Sequence, residues 1–165
     1  ESAIARLRLA RMGAAQRSAP DESAEARRAR TPEAIAFLMP GADSKAAAAW
    51  ERAYLILDAL KAATLSDGAA LAVIAIPAPF QLSKEKWAEW VAWLGVDPQL
   101  IDRTMPQTMV TGWCHRSATP CLDLLPAITD GGGERLYIPH DLHWTAEGHA
   151  LAGAAIARFL AGVGS

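Results

Sequence analysis

Apolar residues recur along much of this chain with the spacing of amphipathic helices. The pattern predicts helices over residues 2–16, 45–64, 84–95 and 146–162. The side chains expected to face the core of these helices are Ile4, Leu7, Met12, Trp50, Tyr54, Leu55, Leu57, Leu60, Trp87, Trp90, Leu94, Leu151, Ile156, Phe159 and Leu160. Trp93 falls outside the apolar face of its helix, so we expect it to be partly exposed.

Shorter helical signals lie between these segments. Thr31-Pro32-Glu33 predicts a short helix that ends near Pro40-Gly41, because Thr caps helices well and Pro suits the first turn. Asp97-Pro98 and Met105-Pro106 predict two further helix starts. Residues 17–31 carry many charges and almost no large apolar group, which is typical of a mobile loop or linker.

Three segments have the composition of strands. Residues 69–76 form a continuous apolar run, which is typical of a strand buried on both faces of a parallel sheet. The composition of two further segments, residues 121–124 and 136–138, predicts shorter extended segments. The alternation of helices and strands favours an α/β domain. Since a doubly wound sheet usually needs more central strands than this, we expect residues 1–165 to be the C-terminal half of a single, incomplete domain.

Net charge, the length of the apolar runs and the cysteine content limit the class of protein. The net charge of −2 argues against a chain dominated by nucleic-acid binding, although residues 1–30 hold seven arginines against four acids. The Arg27–Arg30 cluster is interpreted as a solvated loop. The longest apolar run is broken by Pro77 and Pro79 and is too short for a membrane span. Cys114 and Cys121 fit either one small-loop disulfide or two free thiols.

Candidate chemistry is concentrated between residues 137 and 149. Asp141 and His143 are two positions apart, so in an extended loop their side chains point the same way. The carboxylate can then accept a hydrogen bond from Nδ1–H of the imidazole, which leaves Nε2 free to take a proton. Thr145 is placed to cap the following helix, and Glu147 suits its first turn. The spacing therefore predicts a general base held in front of a rigid helix.

This stretch resembles a known family. The motif Asp-x-His-Trp-Thr-x-x-Gly-His, followed by Ala-Leu-Ala-Gly-Ala-Ala-Ile-Ala-Arg-Phe-Leu, is similar to the last sequence block of SGNH/GDSL hydrolases. The resemblance implies a three-layer α/β/α, flavodoxin-like domain and a serine esterase with a Ser-His-Asp triad. It assigns Asp141 as the orienting acid and His143 as the general base. It implies no cofactor and no metal, and a small-molecule or carbohydrate acyl ester as substrate.

The nucleophile block of that family is not found in this chain. Its Ser follows a Gly-Asp turn after the first strand, and the nearest segment here, Gly41-Ala42-Asp43-Ser44, has different spacing. We expect the nucleophile and the oxyanion groups to lie upstream, in an N-terminal half of the same domain that acts as partner of this chain. Cys114 has no base beside it in the sequence and is not expected to be a nucleophile.

Other interpretations of these residues remain open. A metal site is an alternative for His140, Asp141, His143 and His149, whose side chains are common ligands. Trp144 is expected to pack beside the loop, and His115 and His149 to be surface or structural residues. The tryptophans of residues 84–95 are an alternative platform for stacking a sugar. The same resemblance also fits a polysaccharide O-acetyltransferase, and a non-catalytic α/β interaction subunit is a third alternative.

Overall fold

A computed structural model describes residues 33–40, 45–139 and 142–163. Its helices are α1 (Lys45–Ser66), α2 (Lys84–Leu94), α3 (Met105–Ser117), α4 (Leu125–Gly131) and α5 (Ala146–Val163). Its strands are β1 (Val73–Ala75) and β2 (Cys121–Asp123). Four 3₁₀ turns join them, at Glu33–Leu38, Pro79–Gln81, Pro98–Leu100 and Gly133–Leu136. The predicted helix over 2–16 and the predicted linker over 17–31 lie outside the described residues.

The two strands form a parallel pair, so the chain has the mixed α/β character that its sequence predicts. Ile74 aligns with Leu122 at the centre of the pair. Backbone hydrogen bonds close both ends, from Val73 to the Pro120 carbonyl at 2.9 Å and from Leu124 to the Ala75 carbonyl at 3.0 Å. The prediction of a long strand buried on both faces is wrong for the described residues. Only three residues of the apolar run pair with a neighbour, and all three are half-buried.

Helix α1 confirms the predicted helix but corrects its orientation. Trp50 and Tyr54 face inward, and Trp50 Nε1 donates to the Phe37 carbonyl at 3.0 Å. Leu55 and Leu60 were expected on the same face, yet they are 68% and 49% exposed. The reason is that α1 is apolar on more than one side, so its periodicity does not select the buried side.

Helix α5 also confirms the predicted helix, with one wrong core residue. Leu151 and Ile156 pack against the buried cluster beneath the helix, whereas Leu160 is exposed. Two small residues, Ala152 and Ala155, take the most buried positions instead, because their size lets the helix approach its neighbours closely. None of the helices in the described part of the chain combines the length and apolar character that crossing a bilayer requires.

The buried side chains of the described residues form two clusters. The first lies between the Glu33–Leu38 turn, α1 and α2, and its buried members are Ile35, Leu38, Met39, Ala46, Val91 and Ile101. The second lies between β2, α4 and α5, and its members are Leu82, Leu124, Ile128, Leu136, Tyr137, Ala152 and Ala155. Trp87, Trp90 and Leu94 pack against the first cluster and Trp93 is exposed, as predicted.

The shorter helices predicted from the sequence are present in the structure, but some of them are 3₁₀ turns rather than α-helices. The segment after Thr31-Pro32 forms a 3₁₀ turn rather than an α-helix, and Pro98 likewise opens a 3₁₀ turn. The start at Met105-Pro106 opens an α-helix, α3, as expected. Short 3₁₀ turns are common where few residues separate longer elements.

Cys114 and Cys121 are joined by a disulfide, which resolves the alternative left open by the sequence. The bond connects the last turn of α3 to the first residue of β2. Replacing both cysteines by alanine is expected to lower the free energy of unfolding by roughly 2 kcal/mol, because the closed loop restricts the unfolded chain. Urea denaturation of the wild type and the double variant measures this. If the wild type in excess reductant keeps its full stability, the bond does not contribute.

Candidate functional site

His143 lies on a hairpin-like loop in front of α5. Tyr137 and Trp144 form an antiparallel bridge that closes the loop. The Ile138 N–H donates to the His143 carbonyl at 2.9 Å, so the main chain of His143 is fixed by the opposite side of the loop. Its imidazole is exposed. A fixed backbone and an accessible ring are compatible with the role of a general base.

The loop is anchored directly to the start of α5. The Thr145 N–H donates to the Leu136 carbonyl at 2.9 Å, and the Thr145 hydroxyl oxygen accepts from the Gly148 N–H at 3.2 Å. Thr145 therefore caps the helix, as its sequence position predicts. Gly148 is buried, and a Cβ there would meet the Leu136 carbonyl oxygen and lie 3.1 Å from Trp144 Cβ. The absence of a side chain at Gly148 lets the helix and the loop touch.

Tyr137 places this loop at the carboxyl end of the parallel strands. Its hydroxyl donates to the carbonyl of Pro77, two residues after β1, at 2.5 Å. A second link joins the same regions, because the Ser83 hydroxyl donates to the Glu134 carboxylate at 2.5 Å. In open α/β sheets, ligands bind beyond the carboxyl ends of the strands. The loop that carries His143 is thus held at the edge where such sites form.

Aromatic contacts support the base of the loop. The rings of Tyr137 and Trp144 meet edge to face, with centroids 6.2 Å apart. The exposed His149 meets Trp144 in the same way at 5.5 Å. Trp144 Nε1 is buried and has no hydrogen-bond partner among the described residues. Trp144 therefore packs beside the loop, and His149 is a surface residue whose ring contacts Trp144.

Burial raises the pKa of the Tyr137 phenol above its usual value of 10.0, and the neighbouring Trp144 indole opposes part of that shift. Because the native pKa is the higher one, the stabilising contribution of the neutral phenol is complete below pH 10.0 and is lost as the pH rises toward the native pKa.

Tyr137→Phe is expected to destabilise the fold by about 1–2 kcal/mol at neutral pH, because the buried Pro77 carbonyl loses its donor. The variant should also lose part of the alkaline decline in stability. Urea midpoints measured between neutral pH and pH ~11 test both effects. An unchanged alkaline slope in the variant would show that another group titrates there.

Several residues proposed from the sequence lie outside the described residues. They include the expected orienting acid Asp141 and the alternative ligand His140. Ser44, in the segment nearest to the nucleophile block, also lies outside them. Within the described ranges, no three side chains of His, Cys, Asp or Glu come together in a group that could hold a metal ion. Cys114 is held in the disulfide and His115 is exposed on the last turn of α3.

Sequence reasoning missed a buried polar group beyond the end of β1. Gln81 Nε2 donates to the Arg103 carbonyl at 2.5 Å and to Gln107 Oε1 at 2.7 Å. Gln81 Oε1 accepts from the Ala78 N–H at 2.8 Å. The sequence signal for this buried group is a glutamine, Gln81, that lies next to an apolar run. Its partners are 22 and 26 residues away, so only the folded chain brings them together.

Comparisons of the chain with family profiles, with curated proteins and with solved structures found no match.

Proposed function

We propose that this chain is the C-terminal part of an SGNH-type serine esterase and supplies the general base of its Ser-His-Asp triad. The observation that carries the proposal is the position of His143. Its backbone is fixed by the Ile138 hydrogen bond, its ring is exposed, and its loop is tied to Pro77 beyond β1. A solvated surface histidine needs neither the fixed backbone nor the link to Pro77, whereas a base that must meet a nucleophile repeatedly benefits from both.

The proposed reaction is the transfer of an acyl group from an ester to water. The hydroxyl oxygen of a serine upstream of this chain attacks the ester carbonyl, and His143 Nε2 takes the hydroxyl proton. When the tetrahedral intermediate collapses, the bond to the alcohol breaks and His143 returns the proton to the leaving oxygen. A water molecule then repeats the sequence on the acyl-enzyme. Asp141 accepts a hydrogen bond from Nδ1–H and stabilises the imidazolium.

The fold also supports the proposal that an N-terminal half of the domain completes the sheet. In the described part of the chain, β1 and β2 pair only with each other, so each strand has one edge without a neighbouring strand. Parallel sheets are normally covered on both faces, and an open strand edge is ready to pair. Helix α1, which precedes β1, exposes Leu55, Ile56 and Leu60. The proposed N-terminal half would add parallel strands at β1 and cover this apolar side.

Labelling with a fluorophosphonate probe, read by intact mass, tests the proposal on the native purified protein. We expect one label, on a serine that lies outside residues 1–165, because the probe reacts with a serine that a histidine activates. A label mapped to Ser44 would show that the triad is complete within this chain and would overturn the proposed order. Folded protein that takes no label would overturn the esterase proposal in favour of a non-catalytic subunit.

Product analysis separates the esterase from the acetyltransferase alternative. With an acetylated substrate and a carbohydrate acceptor present, an esterase releases free acetate, whereas a transferase forms acetylated sugar. We expect acetate to account for the consumed substrate, since the proposed reaction uses water as the acceptor. Acetylated sugar as the main product would replace the proposed activity with acyl transfer.

A further inference from the structure

Ile138 lies directly opposite His143 across the loop. The bridge between Tyr137 and Trp144 is antiparallel, so the next pair of facing residues is Ile138 with His143. The Ile138 N–H donates to the His143 carbonyl at 2.9 Å, as this register requires. Residues that face each other across antiparallel segments carry their side chains on the same face, with Cβ atoms ~5 Å apart. Ile138 is therefore the apolar neighbour of the proposed base.

Both side chains of this pair are accessible to a ligand. Ile138 is 43% exposed, and His143 is exposed as well. The preceding pair lies on the other face, where the rings of Tyr137 and Trp144 contact each other and Tyr137 is buried. This arrangement follows because consecutive residues of an extended segment alternate between its two faces. The proposed base and an isoleucine thus share one accessible face of the loop.

The chemistry of the proposed reaction indicates which part of an ester meets this face. The nucleophile and the oxyanion groups hold the acyl carbonyl, and the proposed function assigns them to the upstream half. His143 Nε2 returns the proton to the leaving oxygen, so that oxygen must come within about 3 Å of Nε2. The carbons of the alcohol that follow the leaving oxygen therefore lie beside the imidazole, on the face that Ile138 shares.

We propose that Ile138 determines specificity for the alcohol part of the ester, and that the preferred substrates are esters of apolar alcohols with an alkyl or aryl group next to the ester oxygen. An isoleucine side chain favours an alkyl group because the contact removes apolar surface from water. It offers no hydrogen-bond partner to the hydroxyl groups of a polar alcohol. This role rests on the proposed esterase function, whereas the placement of Ile138 beside His143 does not.

Ester hydrolysis by the protein together with its proposed upstream half, followed by acid release, tests the specificity. One series varies the alcohol, from ethyl acetate to hexyl acetate, and the other varies the acyl group, from ethyl acetate to ethyl hexanoate. We expect kcat/KM of the wild type to be about tenfold higher for hexyl acetate than for ethyl acetate, because the added methylenes are partly buried. In Ile138→Ala this preference should largely disappear, while the ratio within the acyl series stays unchanged.

Two further variants separate a contact with the alcohol from a structural effect. Ile138→Leu should retain the preference for hexyl acetate, because it keeps the apolar volume. Leu160→Ala is the matched control, since Leu160 is a similarly accessible apolar residue, 47% exposed, on α5. It should leave both series unchanged. In Ile138→Ala the loss should appear in KM, whereas a merely structural role of Ile138 would lower kcat for every ester by the same factor.

A nuclear Overhauser measurement on the chain of residues 1–165 tests the geometry without any turnover. We expect cross-peaks between the methyl protons of Ile138 and the ring protons of His143, because facing side chains lie close together. Their absence from the folded protein would overturn the proposal, whatever the activity.

Failure of this inference and failure of the proposed function are distinguishable. Esters hydrolysed with the same ratio of hexyl to ethyl acetate in the wild type and in Ile138→Ala would overturn the alcohol specificity alone. An effect of Ile138→Ala confined to the acyl series would do the same. Folded protein that takes the fluorophosphonate label but hydrolyses none of the esters would also overturn the alcohol specificity. Protein that takes no label either would overturn the esterase function itself.

Discussion

Replacing His143 by alanine is expected to lower kcat/KM of the proposed esterase by about a thousandfold, because a positioned general base contributes on the order of 10²–10⁴ to the rate. The loss arises because the serine hydroxyl is a weak nucleophile at its own pKa and the departing alcohol needs a proton. The side chain is exposed, so its removal creates no cavity and should leave stability within about 0.5 kcal/mol.

Hydrolysis of p-nitrophenyl acetate by the protein together with its proposed upstream half measures this effect. His115→Ala is the matched control, because His115 is also an exposed histidine but lies on the last turn of α3. It should retain wild-type turnover. If His143→Ala and His115→Ala are equally active, His143 is not the base. An unfolded His143→Ala protein would instead assign the residue a structural role, which its exposure does not predict.

Gly148→Ala is expected to lower the free energy of unfolding by about 3 kcal/mol, because overpacking and broken hydrogen bonds outweigh the helix propensity of alanine. The added methyl would meet the Leu136 carbonyl oxygen, which accepts hydrogen bonds from the Thr145 N–H and hydroxyl. Because the neighbour is backbone rather than a flexible side chain, the loop and the helix must separate. The same displacement should reduce the turnover that we propose to depend on His143.

Gly153→Ala provides the control on the same helix. A Cβ at Gly153 meets no atom within 4 Å, so the substitution should stabilise α5 by about 1 kcal/mol through helix propensity. Urea denaturation of both variants measures whether each substitution lowers or raises the free energy of unfolding. Equal stability changes in Gly148→Ala and Gly153→Ala would contradict the close contact between the helix and the loop.

Local sequence signals determined most of the helices. Long apolar periodicity located α1, α2 and α5 to within a few residues, and the Met105-Pro106 start located α3. The periodicity identified the apolar faces of each helix. In a helix with more than one apolar face, it did not identify the face that other residues bury. Leu55 and Leu60 show the consequence in α1, and Leu160 shows it in α5. Burial depends on neighbours that are distant in sequence.

The features of the candidate site also separate into those that depend on the local sequence and those that depend on the tertiary structure. The sequence by itself determined the Asp141–His143 spacing and the capping role of Thr145, because both depend on residues a few positions apart. Only the tertiary structure decided that Tyr137 reaches Pro77 and that Gln81 reaches Arg103. Those hydrogen bonds join segments 60 and 22 residues apart. Such pairings follow from how strands and helices pack together, which local periodicity does not encode.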